Sequence, residues 1–239
     1  IHPHMGDGGT GAGAALHLAM LHGNAKPYYL EDAYLGPSYS DEEIKGEIKK
    51  HNLNFEYLDD IERQIAELIS KGKVVAYFDG SMEYGPRALG SRSILYHTTD
   101  PSVNDWLNKR LKRTEFMPFA PLTLERFAKK CYKNFNGGEH AAKFMTITFD
   151  CTDFMKENSP ATVHVDHTAR PQTINRKINP SYNKILEEYY KISKIPSIVN
   201  TSFNMHEEPI VMTPYDAIRA FKLGHLDYLA IGKYLVKNG

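Results

Sequence analysis

A short apolar run that leads directly into a glycine- and arginine-rich segment constrains this chain more than any other feature. Residues 74–78 are apolar and typical of a β-strand. Residues 80–95 then hold three glycines, a proline, Arg87 and Arg92, which predicts a loop at the end of that strand. Guanidinium groups donate paired hydrogen bonds to phosphate or carboxylate oxygens, and Glu83 could orient one of them. The pattern favours an anion site over a salt-bridge cluster that ties the loop to the body.

Helical and strand-like patterns alternate along the rest of the chain. Apolar spacing and capping residues predict helices over residues 16–22, from residue 41 onward, and over 61–69, 102–112, 124–132, 181–191 and 214–223. Apolar runs predict strands over residues 74–78, 145–151, 161–166, 197–200 and 228–236. Residues 27–40 have no sustained period and predict an extended connector. The mixed order predicts an α/β or α+β fold with a mixed sheet for residues 59–239.

The composition is that of an ordinary globular protein with room for one substantial core. The chain has 239 residues, with 41% hydrophobic and 24% charged residues. Basic and acidic residues number 29 each, so we expect no nucleic-acid partner, and any phosphate binding must be local. No apolar stretch approaches the roughly 20 residues of a membrane span, and no signal peptide is recognisable, so we expect a cytoplasmic protein without a membrane partner. Cys131 and Cys151 lack metal-type spacing and are predicted to be reduced structural thiols.

A glycine cluster precedes the first predicted helix. Residues 6–11 place unhindered backbone N–H groups beside a positive helix end, which suits phosphate, and Asp7 could hold a cation there. The alternative is that the glycines only permit a tight turn and close helix packing. Spacing alone leaves both interpretations open.

A run of four positive charges within residues 109–113 ends one predicted helix. Lysines at a helix C-terminus favour the helix dipole, so a solvated helix face explains most of these charges. The rigid apolar segment at residues 118–121 could nevertheless fix where Lys112 or Arg113 points.

Polar side chains alternate along residues 164–172. In an extended segment this alternation would place four of them on one side: His164, Asp166, Thr168 and Arg170. Metal binding by this segment ranks below a hydrogen-bonded strand edge, because further ligands at suitable spacing are lacking. An anion-facing Arg170 is the better functional prediction.

Amide and hydroxyl side chains follow a strand-like run nearer the C-terminus. Asn200, Ser202 and Asn204 come at the end of that run, where α/β proteins tend to bind ligands. Taken alone, the segment is better explained as an Asx-type turn that satisfies its own backbone. Together with the three arginine-bearing segments, it predicts a shared polar cleft.

Four separated motifs resemble, in the same order, those of the nodulation-type and antibiotic-type O-carbamoyltransferases. They are Met-Glu-Tyr-Gly-Pro-Arg-Ala-Leu-Gly-Ser-Arg-Ser-Ile-Leu at 82–95, Pro-Phe-Ala-Pro at 118–121, His-Val-Asp-His-Thr-Ala-Arg at 164–170 and Asn-Thr-Ser-Phe-Asn at 200–204. Pro-Ile-Val at 209–211 and Leu-Asp at 226–227 add to the resemblance, which covers essentially the whole chain.

The resemblance implies two domains. Residues 1–55 would be the C-terminal remnant of an actin-like ATPase-type domain with its connector, and residues 56–239 a YrdC-like domain with a twisted mixed sheet flanked by helices. In the family, the aspartate that matches Asp7 is a ligand of Fe²⁺ or another divalent metal, with partner histidines upstream of this sequence. The metal site at Asp7 is therefore expected to be incomplete and to bind weakly or not at all.

The resemblance also implies chemistry. ATP with Mg²⁺ and carbamoyl phosphate would give carbamoyl-adenylate in the second domain, with loss of pyrophosphate and phosphate. The carbamoyl group would then pass, with the missing N-terminal domain, to a hydroxyl of a sugar or other small-molecule acceptor. Catalytic roles at phosphate or carbamoyl phosphate are implied for Arg87, Arg92 and Lys112. Binding roles toward substrate or nucleotide are implied for Glu83, Arg170, Thr168, Asn200, Ser202 and Asn204.

One position departs from the family pattern. Many relatives carry Arg directly before Pro-Phe-Ala-Pro, where this chain has Met117, and the charges of residues 109–113 could replace it. Two other functions stay open at this point. One is a non-catalytic ATP- or anion-sensing module, and the other is an enzyme like threonylcarbamoyl-adenylate synthase, which would use bicarbonate and threonine.

Overall fold

A large mixed sheet forms the centre of the protein. The computed structural model describes residues 2–23, 25–26, 29–114 and 118–238, so the departure at Met117 lies outside the described residues. The strands are β1 (Phe55–Tyr57), β2 (Val75–Phe78), β3 (Arg92–His97), β4 (Ala120–Leu124), β5 (Phe149–Asp150), β6 (Thr168–Ala169), β7 (Gln172–Ile174), β8 (Ser197–Ser202), β9 (Tyr228–Ile231) and β10 (Tyr234–Lys237). Eight of them form one sheet in the order β1-β10-β9-β2-β3-β8-β4-β7, and β5 pairs with β6 separately. Because β2–β9 and β4–β7 are parallel and the other pairs antiparallel, the predicted mixed sheet is confirmed.

Helices cover both faces of this sheet. They are α1 (Asp7–His22), α2 (Asp41–Lys50), α3 (Ile61–Ser70), α4 (Val103–Arg110), α5 (Ala128–Cys131), α6 (Glu139–Ala142), α7 (Asp153–Asn158), α8 (Pro180–Ser193) and α9 (Pro214–Leu223), with 3-10 turns at Glu125–Phe127 and Pro160–Thr162. Capping boxes formed by Ser40 with Glu43 and by Thr213 with Asp216 begin α2 and α9. None of the helices in the described residues is long and apolar enough to cross a membrane.

Each face of the sheet is sealed by its own apolar core. Side chains of α2, α4 and α9 contribute to one core, and those of α3 and α8 to the other. Strand β2 supplies both, because Ala76 and Phe78 point to the first core and Val75 and Tyr77 to the second. Burial on both faces explains why this strand reads as a continuous apolar run.

A smaller lobe lies between β4 and β7 in the chain. It holds α5, α6, α7 and the β5–β6 pair around a third apolar core. Cys131 and Cys151 are free and buried in this core, and burial raises the pKa values of their thiols to about 12 and about 11. Since the thiolate is the reactive form, neither thiol is primed for nucleophilic chemistry.

Three strand predictions differ from the structure. The strand predicted at residues 161–166 is wrong: Pro160 begins a 3-10 turn, and His167, with a φ of 65°, donates its N–H to the His164 carbonyl over 2.9 Å. Residues 164–167 therefore form a turn before β6, and the polar residues of the segment 164–170 do not share one side of a strand. The predicted strand at 145–151 shortens to β5, and the one at 228–236 is a hairpin of β9 and β10.

Other elements escaped the sequence patterns. Strand β1 is too short to show a period, and β4 is masked by the prolines of the Pro-Phe-Ala-Pro segment. The glycine cluster is not a turn ahead of the first helix, because α1 already begins at Asp7 and includes Gly8, Gly9 and Gly11. The strand predicted to stop at Asn200 continues through Ser202.

The connector and α1 attach very differently to the sheet. Backbone hydrogen bonds join the connector to the glycine-rich loop. The Tyr84 N–H donates to the Ala33 carbonyl, the Gly36 N–H donates to the Met82 carbonyl, and the Met82 N–H donates to the Pro37 carbonyl. By contrast, α1 has no buried residue. The division into residues 1–55 and 56–239 stays a prediction.

Candidate functional site

A small polar cleft lies where three strands end. Because β8 runs antiparallel to β4 and β4 runs parallel to β7, the end of β8 adjoins the starts of β4 and β7. The cleft has a volume of about 50 Å³ and is lined by Pro86, Arg87, Ala88, Pro118, Ala120, Met145, Arg170, Asn200, Thr201 and Ser202. The structure thus brings together residues from all four motifs, with Arg170 as the one contribution of the motif at 164–170. We call this site the arginine cleft.

A larger chamber shares one wall with the arginine cleft. It measures about 830 Å³ and is lined by His2, Pro3, His4, Met5, Gly6, Pro86, Arg87, Met145, Thr146, Ile147, Thr148 and Arg170. The segment before α1 closes its far side and lies against the loop, since Gly85 packs close to the Pro3 carbonyl. The two cavities share Pro86, Arg87, Met145 and Arg170.

Arg87 and Arg170 carry positive charge into both cavities without compensation. Among the described residues, neither side chain forms an ion pair, and the Arg170 Nε is buried without a hydrogen-bond partner. Burial lowers the pKa of Arg87, and burial together with the charge of Arg87 lowers that of Arg170. Two half-buried like charges that destabilise each other are the arrangement that an anion relieves.

Arg113 stands behind the cleft wall. Its guanidinium donates to the Thr201 hydroxyl over 3.1 Å, to the Ser202 carbonyl over 3.0 Å and to the Ser202 hydroxyl over 3.3 Å. Burial lowers its pKa to about 10, and no carboxylate of the described residues pairs with it. Lys112, the residue favoured from the sequence, is exposed at the end of α4 and has a φ of 58°. The sequence names both Lys112 and Arg113 as candidates, and the structure places only Arg113 against the residues of the cleft wall.

Asn200 places an unpaired acceptor in the cleft. Its amide group donates to the Ala88 carbonyl and to the Gln172 Oε1, both over 2.9 Å, while its Oδ1 is buried without a partner. Gln172 is held in turn by the Leu89 carbonyl, to which it donates over 2.6 Å. The orientation of Asn200 is therefore fixed by two neighbours, and its free oxygen suits a donor such as an amide N–H.

Asn204 lies in the turn after β8. Its amide group donates to the Met205 carbonyl over 2.7 Å and to the Glu208 carbonyl over 3.2 Å. These bonds shape the turn, and Asn204 does not line the arginine cleft.

Glu83 and Arg92 are occupied by the backbone of their own loop. The Glu83 carboxylate accepts N–H bonds from Leu89, Ser91 and Arg92 at 2.6, 3.0 and 3.3 Å. Arg92 is fully buried, lies 3.6 Å from the centre of the Phe78 ring, and donates to the carbonyls of Asp79, Gly80, Ser91 and Pro37. Neither side chain lines the arginine cleft, so their predicted ligand roles remain predictions.

Thr168 belongs to a hydrogen-bonded turn beside Arg170. Its N–H and its hydroxyl both donate to Asp166, over 3.0 and 2.7 Å, and the hydroxyl lies 3.0 Å from the His164 Nδ1. Burial lowers the pKa of His164 below its usual value. The charge of Asp166 opposes this shift, and the charge of Arg170 adds to it. His164 was not among the predicted site residues, yet its titration reports on Arg170.

Asp7 begins α1 and is exposed. No group of three or more His, Cys, Asp or Glu side chains in the described part of the chain is arranged to hold a metal ion. These residues alone therefore do not form a resident metal centre at Asp7.

Comparisons with known proteins agree with the motifs. The family model described as "Carbamoyltransferase C-terminus" matches residues 66–238. The protein MJ1058 of Methanocaldococcus jannaschii is 40% identical over the whole of this chain, which covers 40% of that relative. The nodulation protein NolO of Bradyrhizobium diazoefficiens is 35% identical, again over the whole of this chain and over 44% of the relative. The chain thus spans less than half the length of these two relatives.

A solved structure supports the fold. The crystal structure of T. kodakarensis HypF matches 73% of this chain and 21% of its own chain, with 22% identity and a TM-score of 0.50. This likeness concerns the fold alone, whereas the family model and the two relatives identify the sequence. The chain belongs to the carbamoyltransferase C-terminus family, as its four motifs predict.

Proposed function

We propose that this chain is the part of an ATP-dependent O-carbamoyltransferase that makes carbamoyl-adenylate. The observation that carries the proposal is the convergence of Arg87 and Arg170, without ion pairs among the described residues, on a cleft that is also lined by Asn200, whose buried Oδ1 has no hydrogen-bond partner. A site with two uncompensated guanidinium groups and one amide acceptor matches a small anion that also carries an N–H donor. Carbamoyl phosphate and carbamate have this composition.

The proposed reaction has two balanced steps in this region. Water first cleaves carbamoyl phosphate into carbamate and phosphate. A carbamate oxygen then attacks the α-phosphorus of ATP, the bond between the α-phosphorus and the bridging oxygen breaks, and pyrophosphate leaves. In a later step, an acceptor hydroxyl attacks the carbamoyl carbon, AMP leaves, and the hydroxyl proton passes to a base or to solvent.

The cleft residues serve this chemistry mainly through electrostatics. Arg87 and Arg170 bind the phosphate or the α-phosphate oxygens, on which negative charge rises during attack. Asn200 and Ser202 orient the carbamoyl group, and Arg113 adds positive charge from behind Thr201 and Ser202. Arg92 and Glu83 support the loop from which Arg87 projects, and Thr168 supports the turn before Arg170.

The metal ion needed for the reaction in this region would be bound by the substrate ATP. Mg²⁺ would arrive on the phosphates of ATP, because the described residues supply no ready-made cluster of metal ligands. A further divalent ion at Asp7, such as Fe²⁺, would need ligands from outside this chain. The hydroxyl acceptor and the missing N-terminal domain likewise belong to the longer protein that the relatives indicate.

Pyrophosphate release tests the proposal. Purified protein with ATP and Mg²⁺ should release pyrophosphate only when carbamoyl phosphate is present. Arg87→Ala and Arg170→Ala should each reduce this rate by at least a hundredfold, in the range that loss of one transition-state donor typically costs. Arg63→Ala, which removes an exposed arginine paired with Glu67 on α3, is the matched control and should leave the rate unchanged.

Two results would overturn the proposal. Release supported by bicarbonate and threonine, but not by carbamoyl phosphate, would identify a threonylcarbamoyl-adenylate-type enzyme. ATP binding measured by calorimetry without any carbamoyl phosphate-dependent release, in both this chain and the full-length protein, would identify a sensing module.

A further inference from the structure

A methionine with an unfavourable backbone conformation forms part of the wall between the two cavities. Met145 has a φ of 54°, in the left-handed region that residues with side chains other than Asn or Asp seldom adopt. It lies in the turn that follows α6 in the small lobe. Strained residues of this kind persist where the surrounding structure holds them, and they cluster at functional sites.

The turn around Met145 is held firmly. The Ala141 carbonyl accepts the Phe144 N–H over 3.1 Å and the Thr146 hydroxyl over 3.0 Å, so both neighbours of Met145 are anchored to one oxygen. Met145 itself is 4% exposed and packs in an apolar cluster with Ala33, Leu89, Ala120 and Phe144. Its side chain is therefore directed inward by the turn.

Met145 differs in chemistry from the other three residues that line both cavities. Arg87 and Arg170 are the proposed anion ligands, and Pro86 is a rigid ring. Met145 is uncharged, unbranched and easily accommodated to different shapes, as methionine side chains generally are. It is the part of the shared wall that can set the space beside a bound anion without altering the charge.

The cleft has room for a very small group. One water needs about 10–15 Å³ of such volume, so a space of about 50 Å³ accommodates only a few atoms beside the arginines. The adjoining chamber of about 830 Å³ would accept far larger groups. The wall to which Met145 contributes therefore determines whether a group attached to the bound anion is confined to the small cleft or can extend into the chamber.

We propose that Met145 is a specificity residue that limits the group carried on a phosphate bound by Arg87 and Arg170, so that the arginine cleft admits small acyl phosphates and rejects bulky ones. This inference rests on the proposed function, since it assumes that the two arginines bind a phosphate. It assigns Met145 no contact with the reacting bonds.

A pair of probe ligands tests the inference in this 239-residue chain. Inorganic phosphate and phenyl phosphate offer the same anionic group with and without a bulky substituent, and calorimetry measures the dissociation constant of each. Met145→Ala should strengthen phenyl phosphate binding at least tenfold and change phosphate binding by less than about threefold. Met145→Phe should weaken carbamoyl phosphate binding at least tenfold and leave phosphate binding within the same threefold range.

Two further variants separate selectivity from general damage. Met145→Gly removes the Cβ in addition to the atoms that Met145→Ala removes, and glycine suits the positive φ. It should therefore fold at least as well as Met145→Ala and show a change in selectivity in the same direction. Met155→Ala is the matched control, because Met155 is fully buried in the small lobe and lines neither cavity. It should leave the ratio of the two dissociation constants unchanged.

The outcomes distinguish this inference from the proposed function. Phosphate binding that depends on Arg87 and Arg170, with an unchanged selectivity ratio in both Met145→Ala and Met145→Gly, would overturn the role of Met145 alone. Phosphate binding that is absent from the wild type, or unaffected by Arg87→Ala and Arg170→Ala, would overturn the anion site and the inference together.

Discussion

The glycine-rich loop contains two arginines five positions apart that end in opposite surroundings. Arg92 donates to four backbone carbonyls, stacks on Phe78 and is fully buried. Arg87 lines the arginine cleft and has no ion pair among the described residues. We call the first region, formed by Asp79, Glu83 and Arg92, the loop anchor.

The two regions also treat charge differently. In the loop anchor, Glu83 accepts three backbone N–H bonds and Arg92 donates to backbone carbonyls, so the charged groups satisfy the backbone of a glycine-containing loop. In the arginine cleft, burial lowers the pKa of Arg87, and burial together with the charge of Arg87 lowers the pKa of Arg170. No ion pair among the described residues offsets either charge. The hydrogen-bonded charges of Glu83 and Arg92 stabilise the fold, whereas the uncompensated charges of Arg87 and Arg170 remain available to bind an anion.

The largest expected effect separates the two arginines by stability. Arg92→Met keeps much of the side-chain volume but removes the guanidinium donor to four carbonyls, of which those of Ser91 and Pro37 keep a backbone N–H partner. It should lower the free energy of unfolding by about 3 kcal/mol or more. Arg87→Met should change it by less than about 1 kcal/mol, since no partner in the described residues is lost. Urea unfolding followed by circular dichroism measures both.

Equal losses for the two variants would break the comparison. The slope of the free energy against urea concentration should stay constant, because a changed slope would mean that the denatured state, and not the loop anchor, had been altered.

A smaller loss is expected at Glu83. Glu83→Ala removes the acceptor of three backbone N–H groups and should destabilise the protein by about 2 kcal/mol. Glu83→Gln keeps a carbonyl oxygen in place of Oε1 and should cost about half as much, because the bonds remain but lose their charge assistance. Urea unfolding of both variants checks this order, and a Gln variant as unstable as the Ala variant would contradict it.

The sequence indicates these two regions to different degrees. The wealth of glycine and arginine in residues 80–95 predicts an anion site, and Arg87 meets that expectation in geometry, together with Arg170 and Asn200. The structural use of Arg92 is not visible in sequence, because the carbonyls it binds include Pro37, which folding brings across from the connector. Any rule based on spacing within the loop treats both arginines alike.

Other parts of the site depend on backbone details that a pattern does not encode. Lys112 and Arg113 are adjacent cations, and the left-handed conformation at Lys112 accompanies the turn that sends Arg113 to Thr201 and Ser202. Met145 has no sequence signal at all, since its role follows from a strained turn between two cavities. The sheet itself was easier to predict, because buried strands such as β2 and β8 keep their apolar runs, whereas β4 is hidden by its prolines.

Removing charge from the arginine cleft should have a small stabilising effect. Arg87→Gln relieves the repulsion that lowers the pKa of Arg170, so it should raise the free energy of unfolding by up to about 1 kcal/mol at low ionic strength. The gain should shrink as salt or phosphate is added, since either compensates the charge in the wild type. Thermal unfolding at two salt concentrations measures the change, and a destabilised variant at low salt would show that Arg87 has a structural partner.

The smallest expected effect is a shift in the titration of His164. Burial is the main cause that lowers the pKa of its imidazole below the ordinary value of 6.5; the charge of Asp166 opposes this shift, and the charge of Arg170 adds to it. Folding therefore disfavours protonation of His164. The stability that follows is fully present above pH 6.5 and is lost as the pH falls through the lowered pKa. A phosphate bound at Arg170 should cancel part of the positive field and raise the pKa of His164, and Arg170→Gln should raise it without any ligand. Nuclear magnetic resonance titration of the imidazole, with and without phosphate, measures both shifts. If phosphate raises this pKa equally in the wild type and in Arg170→Gln, the anion binds elsewhere, and the contrast between an occupied loop anchor and an open arginine cleft loses its functional meaning.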